Sequence, residues 1–116
     1  KSRNKDLNNI KVLVLGITFK ENCPDIRNTG VVSVINRLKY FGLNTTIYDP
    51  WASISDVKNE YNMDIINKNP NEKYDAIILA VAHNEFKHLD IDKLKINQHS
   101  IVYDVKGILE NYTHKL

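Results

Sequence analysis

Along the chain the apolar positions follow two rhythms. Short, nearly unbroken runs occur at Lys11 to Leu15, Asn44 to Tyr48, Tyr74 to Ala82 and Ser100 to Tyr103. The first, Lys-Val-Leu-Val-Leu, has the β-branched continuity of a strand buried on both faces of a parallel sheet. Gly16 ends it, and Pro50, which supplies no ladder donor, ends the second. Between the first two runs, Val31, Val34, Ile35, Leu38 and Phe41 recur at helical spacing. They predict a helix from Thr29, with Asn28 or Thr29 as N-cap and Gly42 just past its end. Ser53 or Ser55 caps a second helix over roughly Ile54 to Tyr61, and Asp64 to Ile66 is a minor strand. Asn84 to Lys87 and Ile91 to Leu94 are short helical pieces, and Ser100 to Tyr103 closes the sheet.

Strands separated by helical stretches imply crossover connections, and so one α/β domain with a parallel sheet and helices on both faces. At 116 residues the chain is one domain's worth of polypeptide. Residues 1–10 read as a polar lead-in from a preceding linker, and the start at Lys1 rather than Met marks the chain as a piece of something longer. Ligands of such sheets bind beyond the carboxyl ends of the strands. That rule selects Gly16 to Arg27, Asp49 to Trp51, His83 to Glu85 and Asp104 to Gly107. The first of these has no period and is longer than an ordinary strand-to-helix connection, as functional loops often are.

Composition removes several classes of function. Hydrophobic residues at 42% and charged residues at 26% belong to a globular domain. A net charge of +2, with the basic residues scattered, is too small to neutralise many phosphates, so nucleic acid is not an expected partner. The apolar run Ala76 to Ala82 is far short of the roughly 20 residues that cross a bilayer, so no membrane span is expected. Nor do the first residues contain the apolar stretch of a signal peptide. With the lone Cys23 unable to form an internal disulfide, a cytoplasmic location is expected. His83 and His88 lie five apart rather than four, and nothing else has metal-ligand spacing.

The strand-end segments offer limited chemistry of their own. Gly16 and Asp49 stand where a dinucleotide site needs its first glycine and its ribose-binding acid. Ile17, Thr18, Phe19 and Lys20 follow Gly16, however, so the second and third glycines of that fingerprint are absent. A phospho-accepting receiver domain needs an acidic pair after the first strand, and Gly16-Ile17-Thr18 provides none. Lys20 and Arg27 flank one loop, with Arg27 just before a predicted helix N-terminus, an arrangement that suits an anion such as a pyrophosphate. The alternative is a solvated Lys20 and an Arg27 paired with Asp25 or Glu21. Likewise His83 either lines the cleft or is a satisfied strand-end residue bonding nearby backbone, and Asp49 and Asp104 either meet ligand or hold loops.

Four blocks together carry a resemblance to a known family. They are Leu15-Gly16-Ile17-Thr18-Phe19-Lys20-Glu21-Asn22-Cys23-Pro24-Asp25-Ile26-Arg27-Asn28-Thr29, Tyr48-Asp49-Pro50-Trp51, Ala80-Val81-Ala82-His83-Asn84-Glu85-Phe86 and Tyr103-Asp104-Val105-Lys106-Gly107. From Lys11 to about Leu109 the chain resembles the C-terminal domain of the UDP-glucose/GDP-mannose dehydrogenase family, most of all its UDP-N-acetylhexosamine branch. The resemblance implies a Rossmann-like fold and a cytoplasmic, homo-oligomeric parent enzyme. That enzyme uses NAD to oxidise the sugar's C6 alcohol to a carboxylate, through a cysteine-bound intermediate, for surface polysaccharide synthesis. It also implies partner domains, an N-terminal one that binds NAD and a central helical one that dimerises, while this domain holds the UDP-sugar.

By the same resemblance Phe19 and Lys20 contact the UDP-sugar, Lys106 is the nearest match to a further substrate-binding basic residue, and Arg27 reaches NAD across the interdomain cleft. The chain departs from relatives that carry two arginines where it has Lys106-Gly107. Cys23, followed by Pro24 and Asp25, does not match the family's Cys-Phe-Pro-Lys nucleophile, so no catalytic residue is assigned and the chain alone is expected to be inactive. A stand-alone, noncatalytic nucleotide-binding or interaction module of the same fold is the alternative.

Overall fold

In a computed structural model that describes residues 9–27, 29–104 and 114–115, the apolar runs become parallel strands. They are β1 (Lys11–Leu15), β2 (Asn44–Tyr48), β3 (Ala76–Leu79) and β4 (Ile101–Asp104), and a two-residue strand, β5 (His114–Lys115), joins them. The sheet order is β2-β1-β3-β4-β5, every pairing parallel. In β1 the side chains alternate between two cores. Val12 and Val14 join Ile35 of α1 (Val31–Tyr40) and Val57 of α2 (Ile54–Tyr61) on one face. On the other, Leu13 and Leu15 pack with Phe86 of a 3-10 turn over Asn84–His88 and with Ile91 and Leu94 of α3 (Ile91–Leu94).

The helices bear out the periodic reading, with adjustments at their ends. At the end of α1, Gly42 takes φ +84°, its N–H reaches the Lys39 carbonyl and the Leu43 N–H reaches the Leu38 carbonyl. That is the paired closure that a left-handed residue permits, and Leu38 and Leu43 both pack against the core on that face. At its start the N-cap is Gly30, which has no side chain to cap with, and Thr29 Oγ1 instead accepts from the Val31 N–H at 3.3 Å. Asn28, the other expected cap, lies outside the described residues. Of the two serines proposed for α2, Ser53 is the cap, accepting from the Asp56 N–H at 3.2 Å.

Three further differences concern the sheet. The run Tyr74 to Ala82 contributes only Ala76–Leu79 as strand, because the N–H groups of Ala80 and Val81 both turn onto the Leu15 carbonyl. The minor strand at Asp64 to Ile66 is a single parallel bridge between Ile66 and Tyr48. Instead of β4, β5 stands at the sheet's edge, and its two residues carry no apolar pattern to announce it. Beside α1, a groove of about 370 Å3 lined by Val14, Val31, Val34, Ile78, Ala80 and Tyr103 runs over β3 and β4.

Candidate functional site

Successive crossovers run outward from β1 in opposite directions, first to β2 and later to β3, so the strand order reverses between β1 and β3. At such a reversal the loops leaving neighbouring strands part and open a crevice for ligand. Here the loop after β1 and the segment after β3 meet around one buried ring, His83, which has no exposed surface.

Gly16 starts the β1 loop and is required there by geometry. Its φ is +100°, and a Cβ would lie 2.5 Å from Val81 Cβ, so any side chain would strike the strand end beside it. The chain then passes over Asp49, whose carboxylate is fully buried at the end of β2. Asp49 Oδ2 accepts from the N–H groups of Ile17 (2.7 Å) and Thr18 (3.2 Å) and from His83 Nε2 (3.0 Å). Its Oδ1 accepts from the N–H groups of Trp51 (2.8 Å) and Ala52 (3.0 Å). Burial pushes this carboxyl up, but the His83 hydrogen bond, the Ile17 amide, the imidazole's charge when protonated and the Trp51 amide outweigh it and hold it below the ordinary range.

The proton positions on His83 follow from its partners. Asn22 N–H donates to Nδ1 at 2.8 Å, so Nδ1 carries no proton and Nε2 is the N–H. That N–H faces Asp49 Oδ2 and also Thr18 Oγ1, 3.1 Å away, whose hydroxyl donates in turn to the Lys20 carbonyl at 3.0 Å. Asn22 takes the left-handed conformation, φ 56°, and its Oδ1 accepts from the Asn84 N–H at 2.9 Å. Trp51 covers the imidazole, its ring stacked at 6.0 Å and 26°, and its indole N–H donates to Glu85 Oε1 at 2.9 Å.

Above this network stand Phe19, 58% exposed, and the exposed side chain of Lys20. Two of the three expected substrate contacts are thus adjacent on the crevice rim. Arg27 is elsewhere. Its guanidinium is exposed and grips Asp25 through Nε and one terminal nitrogen, both at 3.0 Å, beside a shallow groove also lined by Asp56 and Glu60. That hydrogen-bonded fork, helped by the guanidinium charge, pulls the Asp25 carboxyl down to about 2. The helix that Arg27 was expected to precede directly begins only at Val31, so Arg27 does not adjoin its N-terminus. Lys106 lies outside the described residues, as do Val105 and Gly107. Cys23 is a half-buried free thiol in the same loop.

Sequence reasoning found the segments that follow β1, β2 and β3 but set the end of β3 at Ala82 rather than Leu79, and it did not single out Thr18 or Asn22. His83 and Asp49 take the bland alternative considered for them, as residues that tie loops together rather than present themselves to ligand. Among the described residues no cluster of His, Cys, Asp or Glu could hold a metal, and no helix is long and apolar enough to cross a membrane.

The arrangement does not fit a dinucleotide of its own. Gly16 is committed to its packing against Val81, and both oxygens of Asp49, the acid that would meet a ribose, are taken by amides and an imidazole. What remains at the crevice is an exposed aromatic ring and an exposed ammonium on its rim.

Known proteins give these features a family. The chain is 43% identical over 103 residues to the UDP-N-acetyl-D-glucosamine 6-dehydrogenase of Pseudomonas aeruginosa, an alignment spanning 86% of this chain and 24% of that protein. It is 39% identical over 101 residues to the protein CapL of Staphylococcus aureus, again 86% of this chain and 24% of the relative. In fold it matches the NDP-N-acetyl-D-galactosaminuronic acid dehydrogenase of Methanosarcina mazei Go1 with a TM-score of 0.77 over 91% of this chain and 22% of that one. The 21% identity of that pair speaks for the Rossmann-like fold alone. This chain therefore spans about a quarter of the length of these relatives. Residues 13–111 match the model of the UDP binding domain of the UDP-glucose/GDP-mannose dehydrogenase family, and the chain belongs to that family.

Proposed function

We propose that this chain is the UDP-sugar-binding domain of an NAD-dependent nucleotide-sugar 6-dehydrogenase that oxidises a C6 alcohol to a carboxylate, with a UDP-N-acetylhexosamine as substrate. Surface polysaccharide synthesis is the process it serves. The observation that carries this reading is the pairing of a UDP binding family match with Phe19 and Lys20 side by side on the rim of the sheet's switch point. An ammonium there neutralises phosphate charge, and an exposed aromatic ring packs on a base or sugar face.

The chain supplies binding and orientation, while the nucleophile and the NAD site belong to the rest of the polypeptide. NAD, when bound there, accepts the hydride. Arg27 faces that partner domain in this reading and exchanges its fork on Asp25 for a contact to the cofactor. Lys106 adds a second positive charge to the substrate side. Closure of the N-terminal and central domains over the rim completes the cleft, and the parent is a homo-oligomer in the cytoplasm.

Kinetics of the full-length polypeptide test the assignment. A charge-assisted contact is worth about 1.5–3 kcal/mol, roughly ten- to a hundredfold in affinity. Lys20→Ala is expected to raise the apparent constant for UDP-sugar by that factor and to leave that for NAD nearly unchanged, and Arg27→Ala to do the reverse. If both variants only lower the melting temperature and leave both constants at wild-type values, the assignment is wrong.

A further inference from the structure

A buried imidazole must place both ring nitrogens on partners. His83 places them on the two ends of one loop tip. Its Nε2 side meets Thr18 and, beneath it, Asp49, and its Nδ1 takes the amide of Asn22. Between those ends stand Phe19, Lys20 and Glu21, all exposed. Packing therefore does not fix the tip, and hydrogen bonds do. Besides the two ring contacts they are Phe19 N–H to the Asp25 carbonyl, Thr18 hydroxyl to the Lys20 carbonyl, and Asn84 N–H to Asn22 Oδ1. The Thr18 hydroxyl bond and the Phe19–Asp25 backbone bond lie within the loop, and the Asn84–Asn22 bond ties it to the segment after β3; His83 joins Thr18 and Asn22, the residues that flank the exposed stretch, through one side chain.

We propose that His83 is a positioning residue for UDP-sugar binding, its two ring nitrogens clamping Thr18 and Asn22 so that Phe19 and Lys20 stand fixed on the crevice rim before ligand arrives. This rests on the function proposed above. A tip that is already ordered loses less conformational freedom when it binds, and that difference is its contribution to affinity. A rigid ring with an acceptor on one side and a donor on the other suits the task, because neither end can move without the other. The stacked Trp51 indole keeps water from competing for the ring, and Asp49 fixes which nitrogen holds the proton.

Two substitutions divide the clamp. In the full-length polypeptide, His83→Gln keeps a donor near the Nε2 position, toward Asp49 and Thr18, and gives up the Asn22 amide. His83→Asn keeps an acceptor near Nδ1 and gives up Asp49 and Thr18. Each is expected to raise the apparent constant for UDP-sugar about three- to tenfold, the range of one neutral hydrogen bond or two. The constant for NAD and the turnover number are expected to stay within about twofold of wild type.

The decisive comparison is made in a Lys20→Ala background, where only Phe19 is left for the clamp to place. There the His83 substitutions are expected to raise the constant for UDP-sugar clearly less than they do in the wild-type background. If their effects instead add in full, or if they lower only the melting temperature, His83 is structural and the proposal is overturned. Should the His83 variants not fold, Thr18→Val carries the same test from the loop side, with Thr18→Ser expected to restore the wild-type constant and failure to restore it counting against the clamp. If Lys20→Ala itself leaves the UDP-sugar constant unchanged, the functional assignment fails and the clamp's role in binding falls with it; if Lys20→Ala raises the constant and the His83 and Thr18 variants do not, only the clamp fails.

Discussion

Replacing Asp49 by asparagine removes one oxygen from a carboxylate that accepts five hydrogen bonds. The amide oxygen of Asn can serve either the Trp51 and Ala52 amides or the Ile17, Thr18 and His83 donors, and its NH2 group then points at the remaining N–H groups. At least two bonds to a buried charged group are lost, each worth about 1.5–3 kcal/mol. They are not additive, and breaking a buried, hydrogen-bonded charge typically costs about 3–5 kcal/mol in total. Against a domain stability of about 5–15 kcal/mol this is a large fraction. Asp49→Asn should lower the melting temperature, read by far-ultraviolet circular dichroism near neutral pH, on the order of 10–25 °C. Acid narrows the gap. The folded carboxyl lies below its ordinary value, so its stabilisation is complete above about pH 4 and is lost as pH falls through the lower folded value. Asn has nothing to protonate there, so wild type and variant should converge on acidification. A variant that melts within about 2 °C of wild type at neutral pH, or a gap that holds its size down to about pH 2, would refute the reasoning.

Gly16→Ala should destabilise the domain by about 1–3 kcal/mol, because it combines a positive φ with a contact to Val81 Cβ; Val81→Ala should not rescue it, since the clashing atom remains, and rescue in a urea titration would show the contact to be misjudged. The Asp25 carboxyl, followed by NMR, should titrate near 2 rather than near 3.8, so that its pairing with Arg27 persists above that range and is lost as pH falls through about 2. Added salt should move that midpoint upward, because Arg27 is exposed and Asp25 partly so, and a midpoint already near 3.8 at low salt would mean the fork is not populated in solution. The chain alone, mixed with NAD and a UDP-N-acetylhexosamine, should produce no NADH absorbance above a buffer blank, and steady turnover would place catalytic groups here that the site does not hold.

What could be read in advance tracks how local the signal is. The continuous apolar run of β1 and the three- and four-residue spacing of α1 are properties of consecutive residues; β1 stands where the pattern put it, and α1 does so apart from its first turn. Gly42 marked the end of α1 because only a residue tolerant of positive φ closes a helix in that way. The strand-end rule likewise found the crevice, since it depends on strand positions alone. The clamp was less legible. His83 lies 34 residues from Asp49 and 61 from Asn22, and no spacing rule joins them. Asn22 held one hint, its tolerance of the left-handed conformation. The ends of β3 and the existence of β5 were hidden for a different reason: one depends on where two amides turn onto Leu15, and the other is only two residues long. Arg27 shows the cost of placing a helix start slightly early, since the anion-binding argument depended on its adjoining that terminus, and α1 begins at Val31.

The central claim is that UDP is held on the rim formed by the β1 loop and the segment after β3. Backbone amide shifts of the isotopically labelled chain, followed by NMR during titration with UDP, test it most directly. The account predicts that the shifts concentrate at residues 18–22 and 83–85 and that they largely vanish in Lys20→Ala. Shifts clustered instead along the groove over β3 and β4, or a response that survives Lys20→Ala undiminished, would contradict it.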